Sequence, residues 1–350
     1  MRILIATDAW KPQVNGVVRT LTSLAASAAS LGHDVRFLTS EGFRTVELPT
    51  YPGLRVAVLP SRREIARRIE AVAPDAIHIA TEGPIGWAAR GYCIRNGLAF
   101  TTSYTTRFPE YVSVRTGIPV SWGYAVVRRF HAAGSGIMVA TPSLKRELGE
   151  RGFANLRSWT RGVDTELFTP DDPAELDLPR PIFMSVGRVA VEKNLEAFLS
   201  LDLPGSKVIV GDGPARARLE RRYPTAHFLG EKFGKELASH VAAADVFVFP
   251  SLTDTFGVVQ LEALACGVPV AAFPVTGPKD VIANNPIGAL NADLRIACLD
   301  ALHMSRDACR AFALTRSWET SARQFIGHLA VLRRSPQASQ RLVGQTAPQG

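Results

Sequence analysis

The chain has 350 residues, 46% of them apolar, and carries 40 Lys and Arg against 32 Asp and Glu, a net charge of +8. That length accommodates two domains of ordinary size, and no apolar run approaches the roughly 18 residues of a membrane-spanning helix, so the sequence reads as a soluble globular protein. Cys93, Cys266, Cys298 and Cys309 have the spacing of neither a metal site nor a disulfide framework and fit a reduced cytoplasm. The charge is unevenly placed: residues 1–170 hold 21 Lys and Arg against 13 Asp and Glu, and the remainder holds 19 of each. A face this basic attracts anionic lipid head groups at roughly 1 kcal/mol per basic residue near the surface. Nucleic acid would be attracted too, and a solvated surface without a partner is the third reading.

Met1 to Asp8 is too short an apolar run for a signal peptide and reads as the first buried strand, Arg2 to Thr7. A loop rich in turn residues leads to Gly16, a helix through about Leu31 and a strand from Asp34 to Thr39. Further strands are expected at Leu54 to Leu59, Ala76 to Ile79, Ala99 to Thr102 and Ile137 to Ala140, with helices at Arg62 to Ala73, Pro84 to Asn96 and Trp122 to Ala133. This alternation predicts a doubly wound parallel sheet. No Gly-x-Gly-x-x-Gly follows the first strand, which argues against a dinucleotide dehydrogenase. Arg62, Arg63, Arg67 and Arg68 form a basic stripe beside Ile65, Ala66 and Ile69, and Trp122, Tyr124, Arg128, Arg129 and Phe130 form a second mixed segment. Either fits a membrane surface or an ordinary exposed helix face.

A junction rich in Pro and acids, Phe168 to Pro173, reads as a linker. Beyond it come a strand from Pro181 to Val186, then Gly187-Arg188-Val189-Ala190-Val191-Glu192-Lys193-Asn194 entering a helix. Arg188 and Lys193 place two cations at a strand-to-helix turn, where they can neutralise a diphosphate; the bland reading is a surface ion pair of Glu192. Val208 to Val210 is a strand that precedes Gly211-Asp212-Gly213-Pro214, and Ala226 to Gly230 precedes a loop, Glu231 to Gly234. Ala243 to Phe249 is a strand ending at Pro250. Gly257 then opens an apolar helix that stops at Gly267, and the next strand begins at Val268. The last helix runs from Ser317 to about Leu329, and the polar segment from Arg333 onward is expected to be disordered.

Two carboxylates stand eight positions apart around that helix start, Asp254 in the loop and Glu262 within the helix. Free N–H groups near Phe256, Gly257 and Val258 would point at an anion between them. The rise from Gly257 to Glu262 is roughly 7.5 Å at 1.5 Å per residue, about the span from a diphosphate to a ribose. The alternative is that Asp254 caps the helix and Glu262 is solvated.

The run Phe249 to Val270 resembles the Glu-x7-Glu region of the retaining family 4 glycosyltransferases of GT-B fold, with Asp254 in place of the first Glu. Gly187-Arg188 through Glu192-Lys193-Asn194 is similar to that family's Gly-Arg-x-x-x-Glu-Lys-Asn, and Gly211 to Pro214 to its Gly-Asp-Gly-Pro. The loop Pro12-Gln13-Val14-Asn15-Gly16-Val17 is similar to its Pro-x-x-Asn-Gly-Val. The resemblance implies that Asp254, Phe256, Gly257 and Val258 meet the donor sugar and diphosphate and that Glu262 meets the ribose. It places Asn15 and Gly16 at an interdomain cleft. Thr105 stands where the family commonly has a histidine, so no catalytic His is carried over; its hydroxyl can bond a donor oxygen.

The same resemblance implies an α/β GT-B chain, two Rossmann-like domains facing across a cleft, with a C-terminal helix crossing back. Residues 1–168 plus the helix at about 317–330 would bind the acceptor, residues 169–316 the nucleotide sugar, and 333–350 would be a tail. The expected reaction is retaining transfer of a hexose or hexuronic acid from a UDP-sugar to a membrane lipid such as diacylglycerol. A GDP-mannose-dependent mannosyltransferase of a glycolipid or polysaccharide pathway is the close competitor. A non-catalytic sugar-nucleotide-binding protein is the reading from another class, because of Thr105. No Asp-x-Asp motif offers a metal site, so Arg188, Lys193 and the helix start at Gly257 are expected to stabilise the leaving diphosphate. The expected partners are the nucleotide sugar, a lipid acceptor and an anionic membrane surface, with no cofactor and no nucleic acid. The expected location is cytoplasmic, peripheral on the inner face of the cell membrane.

Overall fold

A computed structural model describes residues 1–11, 13, 15–48, 51–283 and 285–332; Pro12 and Val14 of the first loop and the expected tail from Arg333 lie outside them. The first unit runs through β1 (Arg2–Ala6), α1 (Gly16–Ser30), β2 (Asp34–Leu38), β3 (Thr45–Leu48), β4 (Tyr51–Ala57), α2 (Arg62–Val72) and β5 (Ala76–Ile79). It continues with α3 (Pro84–Arg95), β6 (Thr101–Tyr104), α4 (Phe108–Thr116), α5 (Val120–His131), β7 (Gly136–Val139), α6 (Pro142–Glu150) and β8 (Leu156–Ser158). The second unit opens with β9 (Ile182–Val186), a single turn at Val191–Lys193, α7 (Leu195–Leu199), β10 (Ser206–Val210), α8 (Arg216–Arg222) and β11 (His227–Phe228). There follow α9 (Gly234–Ala242), β12 (Val246–Phe249), α10 (Val258–Ala265), β13 (Val270–Ala272), α11 (Pro278–Val281), β14 (Gly288–Leu290), α12 (Leu294–Ala301) and α13 (Arg306–Leu314). Finally α14 (Trp318–His328) returns to the first unit, where it packs on α1.

Each unit is a six-stranded parallel sheet, ordered β2-β1-β5-β6-β7-β8 and β11-β10-β9-β12-β13-β14. Both faces of these strands are covered by helices, which explains their continuous apolar runs. In β12, Phe247 and Phe249 enter one core while Val246 and Val248 enter the core on the opposite face. In β1, Leu4 and Ala6 face one side and Ile3 and Ile5 the other, the period of two that a pleated strand imposes.

The expected strand at Leu54 to Leu59 is corrected. The chain there forms β4, an antiparallel partner of β3 outside the parallel sheet, because a hairpin needs no crossover helix. Helices α4 and α6 were absent from the expected elements; each carries Pro at its first turn, where the missing N–H costs nothing. The arginine stripe lies on α2, whose Ile65 and Ile69 are buried, and part of its charge is paired within the helix. Arg67 and Arg68 both pair with Glu64 at 2.6 Å, and Arg68 lies 4.4 Å over the Phe43 ring. Arg62 and Arg63 are exposed.

The two units share the segment around residue 160. Ala322 and Phe325 of α14 bury against Ile3, Leu21 and Trp159, and the Trp159 indole donates to Ser321 Oγ at 3.1 Å. Val163, which precedes the linker in sequence, and Phe168, its first residue, pack into the core of the second unit with Ile182 and Met184.

His78 lies in the middle of the first sheet, fully buried, with Nδ1 2.9 Å from Thr101 Oγ1 and Nε2 3.2 Å from Ser103 Oγ. Burial first, then the nearby His131 and Arg161, lowers its pKa from 6.5 to about 3. The unfolded chain therefore takes up the proton first, so stability is intact above about pH 6.5 and is lost as pH falls toward about 3. At about 1.4 kcal/mol per tenfold in proton affinity the full loss is on the order of 5 kcal/mol. Urea midpoints of the wild type and a His78→Gln variant across that range check this; the variant is expected to lose that part of the slope.

Candidate active site

Open parallel sheets bind ligands beyond the carboxyl ends of their strands, where the strand order reverses. In the second unit the reversal lies between β9 and β12, and the loops leaving these two strands hold the cations and the acids singled out in the sequence. They are stitched together. Lys193 Nζ donates to both Asp254 carboxylate oxygens at 2.8 Å, and Asn194 Nδ2 donates to the Pro250 carbonyl at 3.0 Å. Asn194 adopts the left-handed conformation between the single turn and α7, a role suited to Asn. Arg188 is partly exposed in the same loop. The Gly211 to Pro214 turn supports it from behind: Val189 N–H donates to Asp212 O at 2.9 Å, and a Cβ on Gly213 would lie 2.5 Å from Val189 O.

Past Asp254 the chain turns at Gly257 into α10. Gly257 has φ of 82°, and a Cβ there would come within 2.6 Å of the Phe249 ring and 2.7 Å of Gln260 Nε2. The glycine thus lets the first N–H groups of α10, which lack intrahelical partners, stand beside Asp254 and Phe256. A Gly257→Ala variant is expected to lose about 1–3 kcal/mol of stability, and nucleotide-sugar affinity with it; calorimetric unfolding and isothermal titration check the two effects.

Glu262 lies one turn deeper, its side chain 5% exposed, and Oε1 accepts from the Arg19 guanidinium of α1. Oε2 is buried without a hydrogen-bond partner. Burial pushes the carboxyl pKa up, and Arg19 opposes that shift by charge and hydrogen bond. A buried carboxylate oxygen left unpaired costs free energy comparable to a lost hydrogen bond, so Oε2 is placed for a donor that a ligand hydroxyl would supply. The Thr105 hydroxyl is likewise buried and unpartnered. Its backbone carbonyl accepts from Thr255 Oγ1 at 2.7 Å, which joins the loop after β6 to the loop after β12.

The reversal in the first sheet lies between β1 and β5, and Asp8 ties the two loops there. Its carboxylate accepts from Thr81 Oγ1 and from the Ile85 N–H at 2.8 Å; burial raises its pKa against these bonds. Asn15 caps α1, its side-chain oxygen accepting from the Val17 and Val18 N–H groups at 3.0 Å. That oxygen is thus committed to the helix, and Asn15 acts at the cleft by setting the start of α1. Gly16 is exposed, with open space where a Cβ would stand. Arg19 sits one turn on, its N–H bonded to Asn15 O.

The structure therefore gathers Arg188, Lys193, Asp254, Phe256, Gly257 and Val258 on one lip, Glu262 deeper, and Asn15, Gly16 and Thr105 on the facing unit. Arg19 and Thr255 are residues that the motifs did not single out, and Asn194 closed its motif without a role assigned to it. A signal for Arg19 existed: a cation in the first turn of a helix opposes the macrodipole and calls for a nearby carboxylate.

Two Rossmann-like units facing each other, with a cationic strand-to-helix loop and spaced acids at the reversal of the second sheet, define a glycosyltransferase of the GT-B kind. Residues 14–167 match the family model Glycosyltransferase Family 4, and residues 180–301 match Glycosyl transferases group 1. The GDP-mannose-dependent alpha-mannosyltransferase of Mycobacterium tuberculosis (strain CDC 1551 / Oshkosh) is 30% identical over 368 residues, covering 95% of this chain and 97% of that one. The alpha-monoglucosyldiacylglycerol synthase of Streptococcus pneumoniae (strain ATCC BAA-255 / R6) is 25% identical over 375 residues, covering 93% and 83%. Among solved structures, sucrose-phosphate synthase from Thermosynechococcus elongatus superimposes with a TM-score of 0.73 at 18% identity, covering 99% of this chain and all of that one, a likeness of fold. The chain belongs to glycosyltransferase family 4.

Proposed function

We propose that this glycosyltransferase moves mannose from GDP-mannose, with retention of anomeric configuration, to a lipid-borne acceptor at a membrane surface. The observation that carries the donor is the end-to-end likeness to a mannosyltransferase that uses GDP-mannose. This reverses the order expected from the family resemblance and the basic first half, which favoured a UDP-sugar. The reading as a non-catalytic binding protein is set aside with the membership of an enzyme family.

In the proposed reaction Arg188, Lys193 and the N–H groups at the start of α10 neutralise the diphosphate, a preorganised charge clamp of the kind that stabilises a leaving group. Glu262 Oε2 accepts from a ribose hydroxyl, while Asp254 and the Thr105 hydroxyl bond the sugar. The acceptor hydroxyl oxygen forms its bond to the anomeric carbon as the bond from that carbon to the phosphate oxygen breaks. The departing phosphate takes the acceptor proton on the same face, which gives retention without an enzymic nucleophile. Neither step asks for a divalent ion.

The acceptor assignment is supported by the basic excess of residues 1–170 and by an apolar surface on α4 and α5. Val114 is 78% exposed there and Trp122 69%, with Val126 and Ile118 beside them. Such a surface, set among basic residues, suits peripheral contact with an anionic leaflet; no helix among the described residues is long and apolar enough to cross a membrane. A UDP-hexose donor with diacylglycerol as acceptor is the second reading, favoured by the likeness to the glucosyldiacylglycerol synthase.

Thermal shift with GDP-mannose, UDP-glucose and UDP-glucuronic acid, followed by product analysis on lipid extracts, tests the assignment. Stabilisation by GDP-mannose and a mannosylated lipid are expected. Turnover of a UDP-sugar alone would overturn the donor, and exclusively water-soluble products the acceptor. Sedimentation with anionic liposomes at low and high salt tests the surface: indifference to both would remove it.

A further inference from the structure

A groove of about 770 Å³ lies in the first unit between α3 and the β3–β4 hairpin with its following strap. From α3 it is lined by Pro84, Trp87, Ala88, Gly91 and Arg95. These positions recur every three or four residues and so form one stripe along the helix, roughly 16 Å long at 1.5 Å per residue. The opposite wall includes Val46 and Val58, both part-exposed, and Leu59, which is 91% exposed in a left-handed backbone of φ 43°. That backbone conformation is uncommon for a residue other than glycine.

The stripe is covered only in part: Trp87 and Ala88 pack against the core that includes Ala57 of β4, yet they and Gly91 stay part-exposed. Gly91 leaves the floor open: a Cβ there would meet only the flexible end of Arg95, at 3.1 Å. Among the described residues nothing acidic lines the groove. The cations are Arg62 at the start of α2 and Arg95 at the end of α3, and neither has a carboxylate partner among the described residues. Both α2 and α3 start at the carboxyl edge of the sheet, as connections between parallel strands do. There the loop after β5 is tied to Asp8, so Arg62 and Pro84 mark the end of the groove next to the cleft. Arg95 marks the far end, where its methylenes extend the apolar floor and its guanidinium reaches water.

We propose that this groove holds one acyl chain of an anionic phospholipid, with the head group at Arg62 beside the cleft. An apolar trough of this length with an unpaired cation at the cleft end complements such a chain in shape and charge. The proposal deepens the lipid-acceptor reading and rests on it, because it says how the acceptor is held on the first unit while its head reaches the donor.

The test uses the full chain with phosphatidylglycerol vesicles in which one acyl chain carries a photoactivatable diazirine, with adducts mapped by peptide mass spectrometry. Adducts within residues 84–95 are expected. A Gly91→Leu variant fills the floor and gains helix propensity, so a loss of labelling there is not a loss of folding. Its α3 adducts are expected to fall about tenfold, the scale of two buried methylenes of lost contact, with the GDP-mannose thermal shift unchanged. Adducts confined to residues 112–126, no adducts at all, or α3 labelling unaltered by Gly91→Leu would each overturn the proposal. Labelling of α3 in a chain that mannosylates no lipid would instead uphold the groove and overturn the acceptor reading.

Discussion

Replacing Lys193 by Ala is expected to lower kcat/KM for transfer by about 10²- to 10³-fold, the scale seen when one preorganised charge donor is removed from a developing anion. The geometry explains why the effect falls on this residue. Lys193 is held by a carboxylate of the same pocket, with both Asp254 oxygens at 2.8 Å, so it arrives at the diphosphate already oriented. Arg188→Ala is expected to act in the same direction. The conservative Lys193→Arg keeps the charge but spreads it over a planar fork, and is expected to restore part of kcat without restoring the donor KM. Steady-state kinetics on the three variants separate the terms; unchanged turnover in Lys193→Ala with every accepted donor would remove the diphosphate assignment.

The second large effect is expected at Glu262. Glu262→Gln keeps the shape but removes the charge that a ribose hydroxyl would bond, an interaction worth about 1.5–3 kcal/mol for a charged acceptor. The donor KM should therefore rise by roughly ten- to a hundredfold, with kcat changed less. Arg19→Ala makes the complementary case. Without its guanidinium, burial alone acts on the Glu262 carboxyl and drives its pKa further up. The carboxylate form is then favoured less, so the donor KM of Arg19→Ala should exceed that of the wild type and should improve as pH rises. A double-mutant cycle across Arg19 and Glu262 should give a coupling of about 0.5–3 kcal/mol, as for residues in direct contact; additive effects would mean that the pair is incidental.

The residues differ in how far they could be read from the chain. Strands such as Arg2–Ala6 and Val246–Phe249 were legible because both faces are buried and the apolar run is continuous. The Gly187 to Asn194 loop was legible because its chemistry is local: two cations on a tight turn. What escaped was long-range. Arg19 and Glu262 are 243 positions apart, Thr255 reaches a carbonyl 150 positions away, and no local periodicity encodes either meeting. The hairpin at β3 and β4 escaped for a different reason: a short β-rich run is equally compatible with a sheet strand and with a ribbon, and only the packing around it decides. Asn15 lies in the loop before α1, where its side-chain oxygen is spent on the backbone of that helix, a use that a motif cannot distinguish from ligand contact.

The chain passes between the two units twice, once near residue 163 and once near residue 317, and the two passages touch: Val163 pairs with Ser317, and a Cβ on Gly162 would lie 2.4 Å from the Trp318 backbone nitrogen. Two tethers fixed at one place act as a single pivot, like the spine of a book. Sliding or twisting of one unit past the other would pull the passages apart, whereas rotation about that spine would not. A side chain at Gly162 would press on that spine itself, against the Ser317 and Trp318 backbone.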